Sequence, residues 1–249
     1  MKDLTLITCS YNTPKIIETM MKSFKYHHNI SNFPIIVMEN STNEETSEFL
    51  KSLNISFVRT VGGSHATQME KALKMCKTRY AIVVDTDIVF TKSIESIVED
   101  FKEKELTLAG IECGDRGGFV LYPRIHPWFM LIDIENVNTK NISFINYEKL
   151  ERTNSICFYN LTVDNTLIKE QKHYDVGATF REDIIEAGLK VENRLDYENF
   201  FKHYEGSSWR MNCGNGELER IARDTWNNYQ AEIEKYKDVD LKNIFVGIL

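Results

Sequence analysis

The sequence predicts an α/β fold, a mostly parallel central sheet covered by helices on both faces. Three observations carry that prediction. Short apolar, β-branched runs recur at Leu4 to Thr8, Pro34 to Met38, Ile55 to Arg59 and Ala81 to Val84. Each is too short for a helix, and each gives way to polar or turn-forming residues. Between them lie stretches with helical spacing, so strand and helix alternate in the rhythm of parallel strands joined by crossover helices.

Each element has its own local reason. Leu4 to Thr8 stops at Cys9-Ser10-Tyr11-Asn12-Thr13-Pro14, and Pro14 suits the first turn of a helix whose apolar residues are Ile16, Ile17, Met20, Met21 and Phe24. Pro34 to Met38 ends at Glu39-Asn40-Ser41-Thr42-Asn43, which supplies strand-end polar groups and a helix cap. After Ile55 to Arg59, Gly62-Gly63-Ser64 leads into a helix from about His65 to Cys76. Ala81 to Val84 is the fourth strand. Leu106 to Ile111 predicts another, and Phe119 to Ile134 contains the aromatic segment His126-Pro127-Trp128-Phe129-Met130-Leu131-Ile132. Phe180 to Gly188 reads as a helix with a glycine stop, and Glu217 to Lys237 as a long charged helix. There is no internal repeat and no linker rich in Pro, Gly or Ser, so the 249 residues read as one domain.

Composition narrows the function. Hydrophobic content of 42% with 27% charged residues excludes a disordered or low-complexity chain. A net charge of -7 argues against a broad electrostatic grip on nucleic acid or anionic lipid. No apolar stretch reaches the length of a membrane span, and Met1-Lys2-Asp3 runs into a strand rather than a signal peptide, so the expected compartment is the cytoplasm. The cysteines Cys9, Cys76, Cys113, Cys157 and Cys213 form no C-x-x-C pair and are odd in number. Reduced thiols are expected, not a zinc site or a disulfide framework.

The densest chemical signal is Arg79 to Phe90, R-Y-A-I-V-V-D-T-D-I-V-F, where an apolar run stops on Asp85 and Asp87. Two carboxylates at i and i+2, where a strand leaves the core, can converge on one hard divalent cation if the chain bends there. Ligands of open α/β sheets collect at the carboxyl ends of strands, which suits a metal that holds a diphosphate. A turn held by aspartate side-chain hydrogen bonds is the other reading of the same triplet.

A first strand ending in Cys9-Ser10-Tyr11-Asn12-Thr13-Pro14, a second ending in Glu39-Asn40-Ser41-Thr42, a glycine-containing approach to a helix and then D-x-D occur in one order. That order resembles the nucleotide-sugar glycosyltransferases with the GT-A fold, especially the family-2-like group. The resemblance implies a Rossmann-like α/β/α sandwich, with residues 1–112 holding the nucleotide sugar and 113–249 the acceptor side and a C-terminal helical extension. It implies Thr8, Ser10 and Tyr11 under the nucleobase, Glu39 and Asn40 at base or ribose, and Gly63, His65, Gln68 and Thr86 along the donor. It also implies Mn²⁺ (or Mg²⁺) on the diphosphate, with Asp87 a direct ligand and Asp85 at ribose or metal-bound water. Such relatives commonly have Asp at the second strand end, so Glu39-Asn40 leaves the base open, with UDP favoured.

In the second half, His203 of Phe201-Lys202-His203-Tyr204-Glu205-Gly206-Ser207-Ser208-Trp209 resembles the late histidine that completes the metal site in several such enzymes, with Gly206-Ser207-Ser208 as a lid. A structural histidine among aromatics is the alternative. Asp175, just before a helix, is placed like the base of inverting relatives, with Glu182-Asp183 as the competing pair. His126-Pro127-Trp128-Phe129 reads as an acceptor-side aromatic surface or a core strand, and Asp115-Arg116-Gly117-Gly118 as a mobile loop or a hairpin turn. The expected activity is metal-dependent transfer of a sugar from a nucleoside-diphosphate sugar to a hydroxyl, with inversion favoured. The acceptor is left open among a saccharide, a lipid-linked glycan, a protein and a modified nucleobase. A nucleotidyltransferase making nucleotide sugars and a noncatalytic nucleotide-binding protein of the same fold are the rivals.

Overall fold

The computed structural model describes residues 1, 3–12, 14–28, 31–60, 62–114, 121–152, 172–204, 216–242 and 244–247. The strands are β1 (Leu4–Ser10), β2 (Phe33–Glu39), β3 (Val58–Arg59), β4 (Tyr80–Val84), β5 (Ile88–Phe90), β6 (Leu108–Cys113), β7 (Arg124–Asp133), β8 (Val191–Asn193), β9 (Phe201–His203) and β10 (Phe245–Gly247). The helices are α1 (Pro14–His27), α2 (Glu45–Ser52), α3 (His65–Met75), α4 (Glu95–Glu103), α5 (Ile134–Thr139), α6 (Tyr147–Arg152), α7 (Ala178–Glu186) and α8 (Gly216–Tyr236). A 3₁₀ turn covers Leu195–Phe200.

The central sheet runs β10-β2-β1-β4-β7-β6-β8, with β3 also paired to β2. Every pairing in it is parallel except the two made by β7, which is antiparallel to β4 and β6. The predicted α/β architecture with a mostly parallel sheet is therefore the observed one. Because side chains alternate along a strand, neighbours such as Leu6 and Ile7, Ile35 and Ile36, or Ile82 and Val83 enter opposite cores. Leu6, Ile35 and Ile82 meet Met20 and Phe24 of α1 and Phe101 of α4, while Ile7, Ile36 and Val83 meet Met69 and Leu73 of α3 and Phe180 of α7. Burying each such side chain contributes roughly 1.5–3 kcal/mol.

Several boundaries differ from expectation for local reasons. Only Val58–Arg59 of the expected Ile55 to Arg59 strand pairs. Asn54 takes a left-handed φ of 56° and the Ile55 amide donates to Leu50 O, so those residues close α2 instead. Likewise Glu105 has φ 54° and the Leu106 amide returns to Phe101 O, which delays β6 to Leu108. The helix expected from Phe180 starts at Ala178, after Gly177 at φ 85°. Residues 119–120 and the Asp115-Arg116-Gly117-Gly118 loop lie outside the described residues, and β7 begins at Arg124. At the β6 bulge, a Cβ on Gly110 would sit 2.5 Å from Ile125 Cγ2 and 2.7 Å from Phe129 O. Only glycine allows β7 to approach this closely.

His28 links α1 to the start of α4. Its Nε2 accepts the Ile94 amide at 2.9 Å, which leaves Nδ1 to donate to Phe24 O at 2.7 Å, so the ring is the neutral tautomer. Burial, first among the influences, pulls this histidine below its ordinary value. A depressed folded-state pKa means that the contribution is complete above the unfolded-state value near 6.5 and is lost as pH falls through the folded-state value. Urea unfolding at pH 7.5 and pH 5 is expected to show a loss of stability on acidification that shrinks in His28→Gln. An identical pH dependence in both chains would remove this assignment.

Candidate donor and cation site

The site grows from three consecutive strand ends. At the end of β1, Thr8 and Ser10 are fully buried, and their hydroxyls have no hydrogen-bond partner among the described residues. Tyr11 follows and is exposed. Asn12, at a left-handed φ of 51°, laces this loop to the next one. Its amide donates to Ser41 Oγ at 2.7 Å, and its Oδ1 accepts the Thr42 amide at 2.9 Å.

At the end of β2, Glu39 is buried with both carboxylate oxygens occupied. Oε1 accepts the Ser41 amide at 2.7 Å, Oε2 accepts the Ser47 hydroxyl at 3.0 Å, and Arg59 Nε is 3.7 Å away. In this arrangement the Glu39 carboxylate ties the loop after β2 to the start of α2. Asn40 instead points its amide at Gly63 O (3.1 Å), and Gln68 on α3 donates to the same carbonyl at 3.0 Å. Both amides thereby present buried acceptor oxygens, Asn40 Oδ1 and Gln68 Oε1, without partners among the described residues. His65 opens α3 behind the Ser64 cap, whose Oγ accepts the Thr67 amide, and its buried Nε2 has no such partner either.

At the end of β4 the backbone bends through Asp85-Thr86-Asp87, with the Ile88 amide donating to Asp85 O at 3.3 Å. Burial first, then the charge of Asp87, pushes the Asp85 carboxyl above the ordinary carboxylate range, against the pull of His65, His203 and Arg124. Thr86 and Asp87 are buried. The short β5 that follows pairs antiparallel with β9, setting Ile88 opposite His203, and the Tyr204 amide donates to Asp87 O at 3.0 Å. This ribbon delivers His203 to the two carboxylates. Donor atoms of Asp85, Asp87 and His203 all lie within 4.8 Å of one another, with His203 Nε2 3.4 Å from Asp87 Oδ1. Asp87 Oδ1 is buried with no hydrogen-bond partner among the described residues, as expected of an atom kept for a ligand. Two carboxylates and an imidazole are a chemically suitable set for Mn²⁺, so the residues fit the cation that the resemblance implies.

The His203 ring stacks on Trp128 at 4.6 Å, and Trp128 in turn packs on His126 at 4.9 Å. The expected aromatic segment thus forms the platform under the third donor. Asp175 is buried and makes an ion pair with Arg124 Nη2 at 2.7 Å, while Arg124 Nη1 donates to Val176 O. The trace of Arg124 in the sequence is a charge at the head of an apolar strand, which burial allows only with a partner. The competing pair Glu182-Asp183 faces Lys149 Nζ at 2.9 and 2.7 Å, and Asp183 also accepts Asn146 Nδ2. The Gly206-Ser207-Ser208 segment lies outside the described residues.

Among the described residues, no helix is long and apolar enough to cross a membrane. No curated protein matches the chain in sequence. Among solved structures, the Pyrobaculum calidifontis mannosyltransferase PcManGT, in complex with GDP-Man and Mn²⁺, is 12% identical with a TM-score of 0.54, over 92% of this chain and 75% of that one. At that identity the likeness is one of fold. TarS 1-349 of S. aureus, in complex with UDP-GlcNAc, is 18% identical with a TM-score of 0.44, over 58% of this chain and 49% of that one. GlyE of Streptococcus pneumoniae TIGR4 is 15% identical with a TM-score of 0.48, over 96% and 64% respectively. The chain thus spans about half the length of the TarS fragment that it matches. The family model for glycosyl transferase family 2 matches residues 5–185, a span that runs from β1 through the D-x-D turn to α7. That match takes in most of the chain, and the protein belongs to glycosyl transferase family 2.

Proposed function

We propose that the chain is a metal-dependent glycosyltransferase that moves a sugar from a nucleoside-diphosphate sugar, UDP-linked by preference, to an acceptor hydroxyl with inversion. The observation that carries this reading is the convergence of Asp85, Asp87 and His203 beside a row of buried polar atoms without partners among the described residues. Such atoms are costly unless a ligand meets them. A bound Mn²⁺ (or Mg²⁺) supplies Lewis-acid neutralisation of the diphosphate leaving group. PcManGT, which shares the fold, was solved with that ion.

In this reading residues 1–112 hold the donor. Tyr11 offers an exposed ring for stacking, and the hydroxyls of Thr8 and Ser10 and the acceptors Asn40 Oδ1 and Gln68 Oε1 meet the nucleoside. Gly63, Thr86 and the first turn of α3, with His65, pass along the donor, where free amides favour negative charge. Glu39 contributes through the loop that it holds. Residues 113–249 form the acceptor side, with Asp175 removing the proton from the attacking hydroxyl and Arg124 orienting it. The compartment proposed is the cytoplasm, in keeping with Cys9 and Cys76, which are free thiols.

A thermal-shift screen of UDP-, GDP-, CDP- and dTDP-sugars with and without Mn²⁺ tests the donor. UDP-sugars are expected to raise Tm most, and only with the metal present. A larger metal-independent shift from another nucleotide would overturn the base and the cation together.

A further inference from the structure

We propose that Glu232, on α8, is a positioning residue for the cation triad, acting by holding the strand that presents His203. The proposal rests on the reading of Asp85, Asp87 and His203 as a cation site. β5 and β9 are three residues each and, among the described residues, pair only with one another, and a two-stranded ribbon of that size is marginal without outside support. Strand alternation divides that support between two faces. Phe201 and His203 turn toward Trp128, with ring centroids 5.6 and 4.6 Å away. Lys202 and Tyr204 turn the other way, and there both meet one oxygen. Glu232 Oε1 accepts Lys202 Nζ at 2.8 Å and the Tyr204 hydroxyl at 2.9 Å.

The carboxylate that makes this bracket is itself firmly seated. Glu232 is buried, and it shares a helix face with Tyr229 and Tyr236 at i, i+3 and i+7 spacing. Tyr229 donates to Ile16 O at 3.0 Å and Tyr236 to Phe90 O at 3.2 Å. One face of α8 is therefore bonded to α1, to the end of β5 and, through Glu232, to both residues that flank His203. Burial alone would push the Glu232 carboxyl up, but the Lys202 and Tyr204 hydrogen bonds outweigh it and hold the group below its ordinary value. Lys202, Tyr204 and Glu232 themselves all lie beyond residue 185, where the family match ends.

The test is Mn²⁺ titrated into the full chain with UDP present, with the free ion read by electron paramagnetic resonance. Glu232→Gln is expected to raise the Mn²⁺ Kd about tenfold and Tyr204→Phe by less, with near-ultraviolet circular dichroism of the metal-free proteins unchanged. Values within twofold of wild type for both variants overturn the positioning role and leave the cation site standing. A wild-type chain that takes up no Mn²⁺ overturns the cation reading, and this role with it. If Glu232→Gln does not fold, Tyr204→Phe decides.

Discussion

Replacing Asp87 by Asn is expected to lower kcat/KM for sugar transfer by roughly 10²–10³-fold, an amount that corresponds to about 3–4 kcal/mol of transition-state stabilisation. The same substitution should leave the metal-free protein as stable as wild type, or slightly more so. The reason is electrostatic. Asp87 Oδ1 makes no hydrogen bond among the described residues, and the Asp87 charge helps to push the Asp85 carboxyl above its ordinary range. A carboxyl raised by the fold opposes folding at neutral pH, so removing its neighbour relieves that cost. The backbone carbonyl that accepts the Tyr204 amide is retained in the variant. Initial rates and thermal unfolding without metal separate the two effects. Loss of stability with rate intact would mean that the turn is structural.

The second large effect concerns Asp175. Asp175→Asn is expected to slow transfer by roughly 10²–10⁴-fold through loss of the general base. It should also destabilise the chain by about 3–5 kcal/mol, because Arg124 would be left as an uncompensated buried charge. The double variant Arg124→Met, Asp175→Asn removes both charges. Most of the stability should return in it while the rate stays low. Recovery of rate along with stability would reduce Asp175 to a structural anion. Glu182→Gln should cost far less rate, since Glu182 pairs with Lys149 and accepts the Tyr174 hydroxyl. Product configuration by NMR closes the argument, because a retained anomer has no use for a base at Asp175.

What could be read from the sequence follows how local each signal is. β1, β2 and β4 were legible because unbroken apolar runs ending on polar residues describe buried parallel strands, and the Asp85-Thr86-Asp87 turn was legible for the same reason. The start of β3 was misplaced because Ile55 is apolar for a different purpose, closing α2 behind Asn54. Single side chains with long-range partners left weaker traces. β5 and β9 are too short to show a period, so nothing in the spacing tied His203 to Asp87, and only the resemblance suggested it. Glu39 stands at an acidic strand end, the kind of position that suggests a ligand contact. Its occupation by Ser41, Ser47 and Arg59 depends on a helix and a strand that lie later in the chain. Glu232 was one more charge on a charged helix until packing set it against Lys202 and Tyr204.

The most direct measurement is anomalous scattering at the manganese edge from crystals grown with UDP and Mn²⁺. The account predicts one peak in coordination contact with Asp87 and His203, next to the nucleotide diphosphate and beside Asp85. Bound UDP with no peak there, or with those three side chains turned to protein partners, would contradict it.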